Sequence, residues 1–331
     1  LVGENRSLVR AGLARLRQGR RHGLRSLAGA ANLAIQSTSA RDIGFILGPR
    51  LNAAGRLESA LDSFDLLMAD DLATAGLLAQ KLDDQNRQRQ ELTRQMQETA
   101  EKLMDPEKDD RLIFAAHPEF NMGVVGLVAA RLTETYYRPA VVGSQGEEFT
   151  RASCRSIPEF HITRALDQCS DLLVRHGGHA MAAGFTVRNE KLDELVEHLQ
   201  QIATEQLAER DLCPVLYADM EIPLRELRPI LLKDLDALEP TGLGNPGALF
   251  VSRDLRVRYS RRVGSEGQHL RLTLDDGAIT YDAIAFRQGH WGGQLPERVD
   301  ILYAFERNFY RDQMTLQLNV RDLKPSNGTQ E

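Results

Sequence analysis

The chain has 331 residues, 42% hydrophobic and 27% charged, enough apolar material for two or three cores, so multidomain architecture is the starting expectation. No apolar run approaches the length needed to cross a bilayer, and Leu1 to Arg10 lack the basic, apolar and small-residue succession of a signal peptide. The expected location is therefore the cytoplasm, with no membrane partner. A net charge of −6 argues against indiscriminate coating of nucleic acid, and Cys154, Cys169 and Cys213 are too few and too far apart for a disulfide framework or a zinc site.

The opening segment alternates short helical patterns with turns and carries no start signal, so upstream sequence is expected. From about Asp70 to Asp105 the pattern is one long helix, with Asp70 or Asp71 placed to cap its start and Asp105-Pro106 to end it. Leu78, Leu82, Leu92, Met96 and Leu103 form a thin apolar stripe, while Asp83 to Glu91 is almost wholly polar. The middle of this helix is expected to be solvated, as in a bridge between domains.

An alternating pattern follows: strand Arg111 to Ala116, helix Gly123 to Tyr136, and strands Pro139 to Val142 and Phe149 to Arg155. Next come helix Ile162 to Arg175, strand Gly184 to Arg188 and helix Leu192 to Ala208. This predicts an α/β domain, with Pro158 near a helix start and Gly177 just past a helix end. Beyond Cys213-Pro214 the pattern becomes short strands, Leu249 to Tyr259, His269 to Leu274, Thr280 to Phe286, Val299 to Phe305 and Met314 to Val320, which suits a small Greek-key barrel of the OB type. The expected fold class is multidomain, α/β plus all-β, with boundaries near 1–69, 70–105, 106–210, 211–325 and a tail at 326–331.

Charge is uneven along this plan. Between Phe185 and Glu239 stand 13 acidic and 6 basic residues, and two arginine concentrations lie outside that stretch. The first, Arg6, Arg10, Arg15, Arg17, Arg20, Arg21 and Arg25, reads as a solvated face. The second, Arg253, Arg256, Arg258, Arg261, Arg262 and Arg271, lies among strands and reads as a single-strand-binding surface, with Tyr259, Phe286 or Phe309 for stacking.

Three segments can carry chemistry. In Gly48-Pro49-Arg50-Leu51-Asn52-Ala53-Ala54-Gly55-Arg56-Leu57, small residues permit close backbone approach and two guanidinium forks suit phosphate oxygens. The plainer alternative is a Gly-Pro turn entering a helix. In Arg151-Ala152-Ser153-Cys154-Arg155-Ser156, a strand end before a helix offers a hydroxyl and a guanidinium to a terminal phosphate; alternatively Ser156 caps the helix. Residues two apart on a strand point to the same side, so Ser153 and Arg155 converge while Cys154 faces an apolar layer. In His176-Gly177-Gly178-His179, paired glycines can turn N–H groups towards an anion and His179 can donate to a phosphoryl oxygen; the alternative is a helix end and a tight turn. The spacing is not that of a metal site. There is no Gly-x-Ser-x-Gly elbow, P-loop, dinucleotide fingerprint or His-Glu-x-x-His, and no dense Asp and His cluster of the kind that holds two metals.

Together these segments resemble the later motifs of the DHH phosphoesterase superfamily, and their order resembles its RecJ-type single-strand-specific exonucleases. Gly48 to Leu57 is similar to that family's Gly-Pro-Arg-Leu-Asn-Ala-Ala-Gly-Arg-Leu signature. Gly123 to Leu132, Ser153-Cys154-Arg155-Ser156 and Gly177-Gly178-His179 through Gly184 are similar to signatures of its DHH-associated domain. Leu238-Glu239-Pro240, Gly242 and Gly244-Asn245-Pro246 resemble the entry to its OB domain. The resemblance implies a 5′→3′ exonuclease of repair and recombination acting on single-stranded DNA with two Mn²⁺ or Mg²⁺ ions, and a single-stranded-DNA-binding protein as partner. It implies that Arg50 or Arg56, with Ser153 and Arg155, contact the 5′-phosphate and backbone. Asn52 and Ser156 join that substrate-binding set, and His179 with Gly177 and Gly178 grips phosphate near the cut. The family's metals sit on Asp and His residues of an N-terminal domain that includes an Asp-His-His triplet, and no such triplet occurs here. This chain is therefore expected to be the C-terminal part, without the metal centre. Two other readings compete, a non-catalytic strand-binding or docking module and an oligonucleotide or cyclic-dinucleotide phosphodiesterase. The strands after Cys213 count against the second.

Overall fold

The computed structural model describes residues 1–104, 111–310 and 313–326, without side-chain detail at 309, 310 and 313. The chain divides into two compact units, one formed by Leu1–Leu13 with Val215–Glu331 and the other by Ala14–Pro214. The first thirteen residues, expected to belong with the helices that follow, thus group with the strand-rich part.

Helices α1 (Glu4–Leu16) and α2 (His22–Ala30) lead to one turn, α3 (Ala40–Asp42), capped by Ser39 and Asp42 reciprocally. The chain winds on through a wider π-helical stretch, Ile43–Leu47, into α4 (Gly48–Leu57), with Pro49 in its first turn. Then come α5 (Leu61–Met68) and the 32-residue α6 (Leu72–Leu103). Of the two aspartates offered as its cap, Asp71 accepts from the Thr74 N–H at 2.8 Å; the expected stop at Asp105-Pro106 lies outside the described residues.

The middle of α6 is solvated on one face only, with Asp84, Arg87, Gln88, Gln90 and Glu91 exposed and the opposite face buried. Asp83, Gln85, Asn86 and Thr93 are buried with their polar groups met, Asp83 by Arg50 and Gln85 by Glu58 from outside the helix, and Asn86 by Arg89 and Thr93 by the Arg89 carbonyl within it. Apolar side chains Leu27, Leu47, Ala54, Leu66, Ala79 and Leu82 close the core between α2, α4, α5 and α6.

The α/β part is a five-stranded sheet in the order β1-β2-β3-β5-β4, with β1 (Ile113–His117), β2 (Ala140–Gln145), β3 (Phe149–Arg155), β4 (Leu173–His179) and β5 (Ala182–Arg188). One face of β1, β2 and β3 packs under α7 (Val125–Tyr136) through Val125, Val128, Ala129, Ala140 and Val142. The opposite face packs against α8 (Ile162–Gln168) and α9 (Leu192–Leu207), burying Cys154, Phe160, Phe185, Val187, Leu195 and Leu199. The helix expected to run to Arg175 stops at Gln168. Residues 173–179 form β4 instead, so Gly177 is a strand residue and not a helix stop.

In the other unit β6 (Met220–Glu221) and α10 (Pro229–Ala237) precede β7 (Phe250–Val263), β8 (His269–Asp275), β9 (Thr280–Ala285), β10 (Arg298–Tyr310) and β11 (Gln313–Pro325). The order β10-β11-β9-β8-β7, with β10 also paired to β7, closes a five-stranded barrel of the OB kind around Leu270, Leu272, Leu274, Ala283, Ile301, Tyr303 and Leu318. Arg6 and Arg10, expected on a solvated face, are engaged within this unit. Arg6 donates to the Ala237 and Leu238 carbonyls at 3.1 and 2.8 Å, at the negative end of α10, and Arg10 to the Glu239 carbonyl at 2.9 Å. Among the described residues no helix is long and apolar enough to cross a membrane.

Candidate nucleic-acid interface

The register of the sheet sorts its residues into cross-strand rows. Opposite residues of an antiparallel ladder share a face, so Arg151–Thr186–Arg175, Ser153–Gly184–Gly177 and Arg155–Ala182–His179 form three rows on one side. Helix α7 covers that side only as far as β3, leaving β5 and β4 uncovered: Arg151, Arg175, Gly177 and His179 are exposed. The result is a trough with a floor of Gly177, Gly184 and Ala182 and cationic side chains at both ends. At the Arg151 end a depression of about 250 Å³ is lined by Met122, Arg151, Arg175, Gly184 and Thr186.

Ser153 and Arg155 converge as their spacing predicts. The Arg155 Nη1 donates to Ser153 Oγ at 3.2 Å and to the Cys154 carbonyl at 2.8 Å. Cys154 faces the opposite core, where burial pushes its thiol up to about 12. The first turn of α7 sits over this pair. A Cβ at Gly126 would stand 3.0 Å from Ser153 Oγ and 3.3 Å from Arg155 Nη2, so glycine is what lets hydroxyl, guanidinium and helix start meet.

The same turn meets α4. Arg56 donates from Nη1 to the Gly123 carbonyl at 3.2 Å, and a Cβ at Gly123 would lie 2.0 Å from the Arg56 carbonyl oxygen. Motifs far apart in sequence thus adjoin at one helix start. Arg50 and Arg56 separate here. Arg50 donates from Nε to the buried Asp83 at 2.8 Å and from Nη1 to the Ile46 carbonyl, whereas Arg56 is exposed and has only a backbone partner among the described residues. Asn52 is exposed with no partner among the described residues.

Two expectations need correction. Ser156 is neither open to a ligand nor a helix cap: it is buried, its hydroxyl donates to the Phe160 carbonyl at 2.6 Å, and His161 caps α8. Gly177 and Gly178 are not a turn that presents N–H groups. They lie in the β4–β5 ladder, where a Cβ at Gly178 would collide with Ala182 and Ala183 backbone but one at Gly177 would enter open space. Packing therefore does not demand glycine at 177. Arg151 and Arg175 were missed because their alignment depends on which strand neighbours which. Arg175 further donates to Thr186 Oγ1 at 3.2 Å.

On the barrel, Arg261 and Arg271 stand opposite each other, Tyr259 pairs with Thr273, and His269 meets Phe286 edge-on at 5.1 Å. Tyr259 and Phe286 are half exposed; the Phe309 side chain lies outside the described residues. Most of the barrel arginines are paired: Arg253 with Glu221, Arg256 with Glu297, Arg258 with Asp275 and Arg271 with Asp282, while Arg262 donates to the Gly292 carbonyl. The Gly277 N–H, then Arg258, hold Asp275 below the usual carboxylate range. Of the six, Arg261 alone has no partner among the described residues. If this face takes a single strand, Arg261→Gln is expected to flatten the salt dependence of that binding more than Arg253→Gln, since Arg253 is already engaged by Glu221 and Asp300 and is less free to replace a counterion on phosphate. Equal slopes for the two variants in anisotropy titrations would contradict this.

The profile of the DHHA1 domain matches residues 109–205, and that of the RecJ OB domain matches residues 218–322. Single-stranded-DNA-specific exonuclease RecJ of Bacillus subtilis is 32% identical over 96% of this chain and 41% of its own length. The Escherichia coli protein of the same name is 31% identical, over 98% of this chain and 58% of its length. The crystal structure of RecJ from Thermus thermophilus in complex with Mn²⁺ superposes with a TM-score of 0.85 at 31% identity, covering 98% of this chain and 47% of that one. A Mg²⁺ complex from the same organism superposes equally well, at a TM-score of 0.85. The chain spans about half the length of the curated relatives it matches.

Proposed function

Because the chain belongs to the RecJ family, we propose that it supplies the strand-binding and 5′-phosphate-binding parts of a 5′→3′ exonuclease acting on single-stranded DNA in repair and recombination. The observation that carries this is the trough at the start of α7, where Ser153 and Arg155 meet beside side-chain-free Gly177 and Gly184. A terminal phosphate seated there accepts from the hydroxyl and the guanidinium fork, and His179, at the same level as Arg155, donates to the next phosphoryl group. Gly177 keeps the floor open for the sugar. Arg56 holds the backbone, since Arg50 is engaged with Asp83.

The solved relatives contain Mn²⁺ or Mg²⁺. Among the described residues no group of three or more His, Cys, Asp or Glu stands close enough to hold such an ion, so no step through a metal is assigned to these side chains. The proposal places the metal ligands outside this chain. On that reading the chain alone, freed of host nucleases, releases no nucleotides from single-stranded DNA with Mn²⁺; chelator-sensitive release would refute it.

The decisive experiment compares wild type and Arg155→Ala in binding strands with a 5′-phosphate and a 5′-hydroxyl. The substitution is expected to cost about 1.5–3 kcal/mol on the phosphorylated strand, roughly ten- to hundredfold in affinity, and much less on the other. Equal losses on both would assign Arg155 to the general backbone or to the fold.

A further inference from the structure

Arg89 lies on the middle of α6 with its guanidinium half-buried. Its Nη2 donates to Asn86 Oδ1 at 3.0 Å, but its Nε is enclosed and has no acceptor among the described residues. Two more guanidiniums lie near enough to act on it, Arg56 from α4 and Arg131 from α7; together with burial, which contributes most, they draw the Arg89 pKa below its ordinary value. None of the three has a carboxylate partner among the described residues: Arg56 holds the Gly123 carbonyl, and Arg131 approaches Gln97 Oε1 at 3.5 Å. Elsewhere α6 neutralises its arginines, Arg87 with Asp83 and Arg94 with Glu91 and Glu98. Arg56 and Arg131 are exposed to water, so the cost falls on Arg89, whose enclosed donor has no acceptor among the described residues and is what an anion would complete.

We propose that Arg89, Arg56 and Arg131 form a second phosphate subsite, distinct from Ser153 and Arg155, that takes an internal phosphodiester of the same single strand. The two subsites flank the start of α7, because Arg56 meets that turn at Gly123 and Ser153 with Arg155 meet it at Gly126. An extended strand running past the turn contacts both, whereas a mononucleotide seated by its 5′-phosphate reaches only the second pair. Guanidinium forks suit a phosphodiester, which offers two free oxygens to separate donors. The inference rests on the proposed strand-binding function.

The test uses the 331-residue chain with two probes, a 5′-phosphorylated oligothymidylate and thymidine 5′-monophosphate. Arg89→Gln and Arg131→Gln are each expected to weaken the oligonucleotide roughly tenfold and to reduce its salt slope by about 0.7, the single-strand value for one phosphate contact. Both are expected to bind the mononucleotide as wild type does, whereas Arg155→Ala weakens both probes. Arg89→Gln is expected to lower the thermal midpoint by a few degrees, since the buried Asn86 Oδ1 loses its donor, so binding is compared well below the midpoint of both proteins. Wild-type oligonucleotide affinity and slope in both Gln variants, with Arg155→Ala still impaired, would overturn the second subsite and leave the parent reading standing. So would a fall in thermal midpoint without a change in binding, which would mark a purely structural arginine. Loss of mononucleotide binding in Arg89→Gln equal to that in Arg155→Ala would show a single site and also overturn it. Strand binding unaffected by any of the three variants would remove the parent reading along with it.

Discussion

Replacing Asp83 by alanine is expected to destabilise the helix-and-sheet unit by about 3–5 kcal/mol, the usual consequence of removing one partner from a buried ion pair. The Asp83 side chain is 1% exposed and accepts from Arg50 Nε at 2.8 Å and from Arg87 Nη2 at 2.5 Å. Arg87 is 68% exposed and can turn to water, so its bond contributes little. Arg50 is only 17% exposed, and after the substitution it keeps just the Ile46 carbonyl. An uncompensated cation is then held between α4 and α6. In a unit of this size the loss corresponds to a fall of roughly 6–20 °C in thermal midpoint, which calorimetry measures directly. Asp83→Asn, which keeps the shape and one acceptor, should lose less. A fall of less than about 1 kcal/mol in Asp83→Ala would mean that water reaches the pair and screens it.

Gly123→Ala is expected to produce the other large effect, on stability and strand affinity together. The added Cβ would come within 2.0 Å of the Arg56 carbonyl oxygen and 3.0 Å of its carbon, and a backbone carbonyl cannot rotate aside as a side chain can. The end of α4 and the start of α7 must separate, at a cost of about 1–3 kcal/mol for forced overpacking, and the Arg56 bond to the Gly123 carbonyl is lost with them. Gly126→Ala and Gly177→Ala supply the contrast. At Gly126 the nearest atoms are the ends of Ser153 and Arg155, and at Gly177 there is open space, so both variants should keep the wild-type midpoint within a few degrees. Each should nevertheless weaken binding of a 5′-phosphorylated strand, because the methyl enters the proposed phosphate or sugar position. Chemical unfolding paired with binding titrations reads both effects. A Gly123→Ala protein as stable as Gly177→Ala would show that the helix junction yields easily.

Sequence by itself determined the elements whose signals are local. The alternation of Phe149 to Arg155 marks β3 to both ends, the Asp70-Asp71 pair marks the start of α6, with Asp71 the one that caps, and the period-two runs after Leu249 mark the five barrel strands. Residues two apart on one strand must share a side, so the convergence of Ser153 and Arg155 was legible as well. Tertiary structure decided whatever depends on a neighbour from elsewhere in the chain. Strand β4 was read as a helix end because its two glycines look like a stop; pairing with β5 extends it, and no feature within 173–179 announces that partner. The polar middle of α6 looked solvated all round because groups that satisfy its buried face, Arg50 and Glu58, lie on other elements. Arg50 and Arg56 are equivalent as letters in one motif and differ in place, one against a buried carboxylate and the other at an open helix junction. The trough itself belongs to this second class. Its arginines come from β3 and β4 and its floor from β4 and β5, and only the ladder between them sets which residues stand side by side.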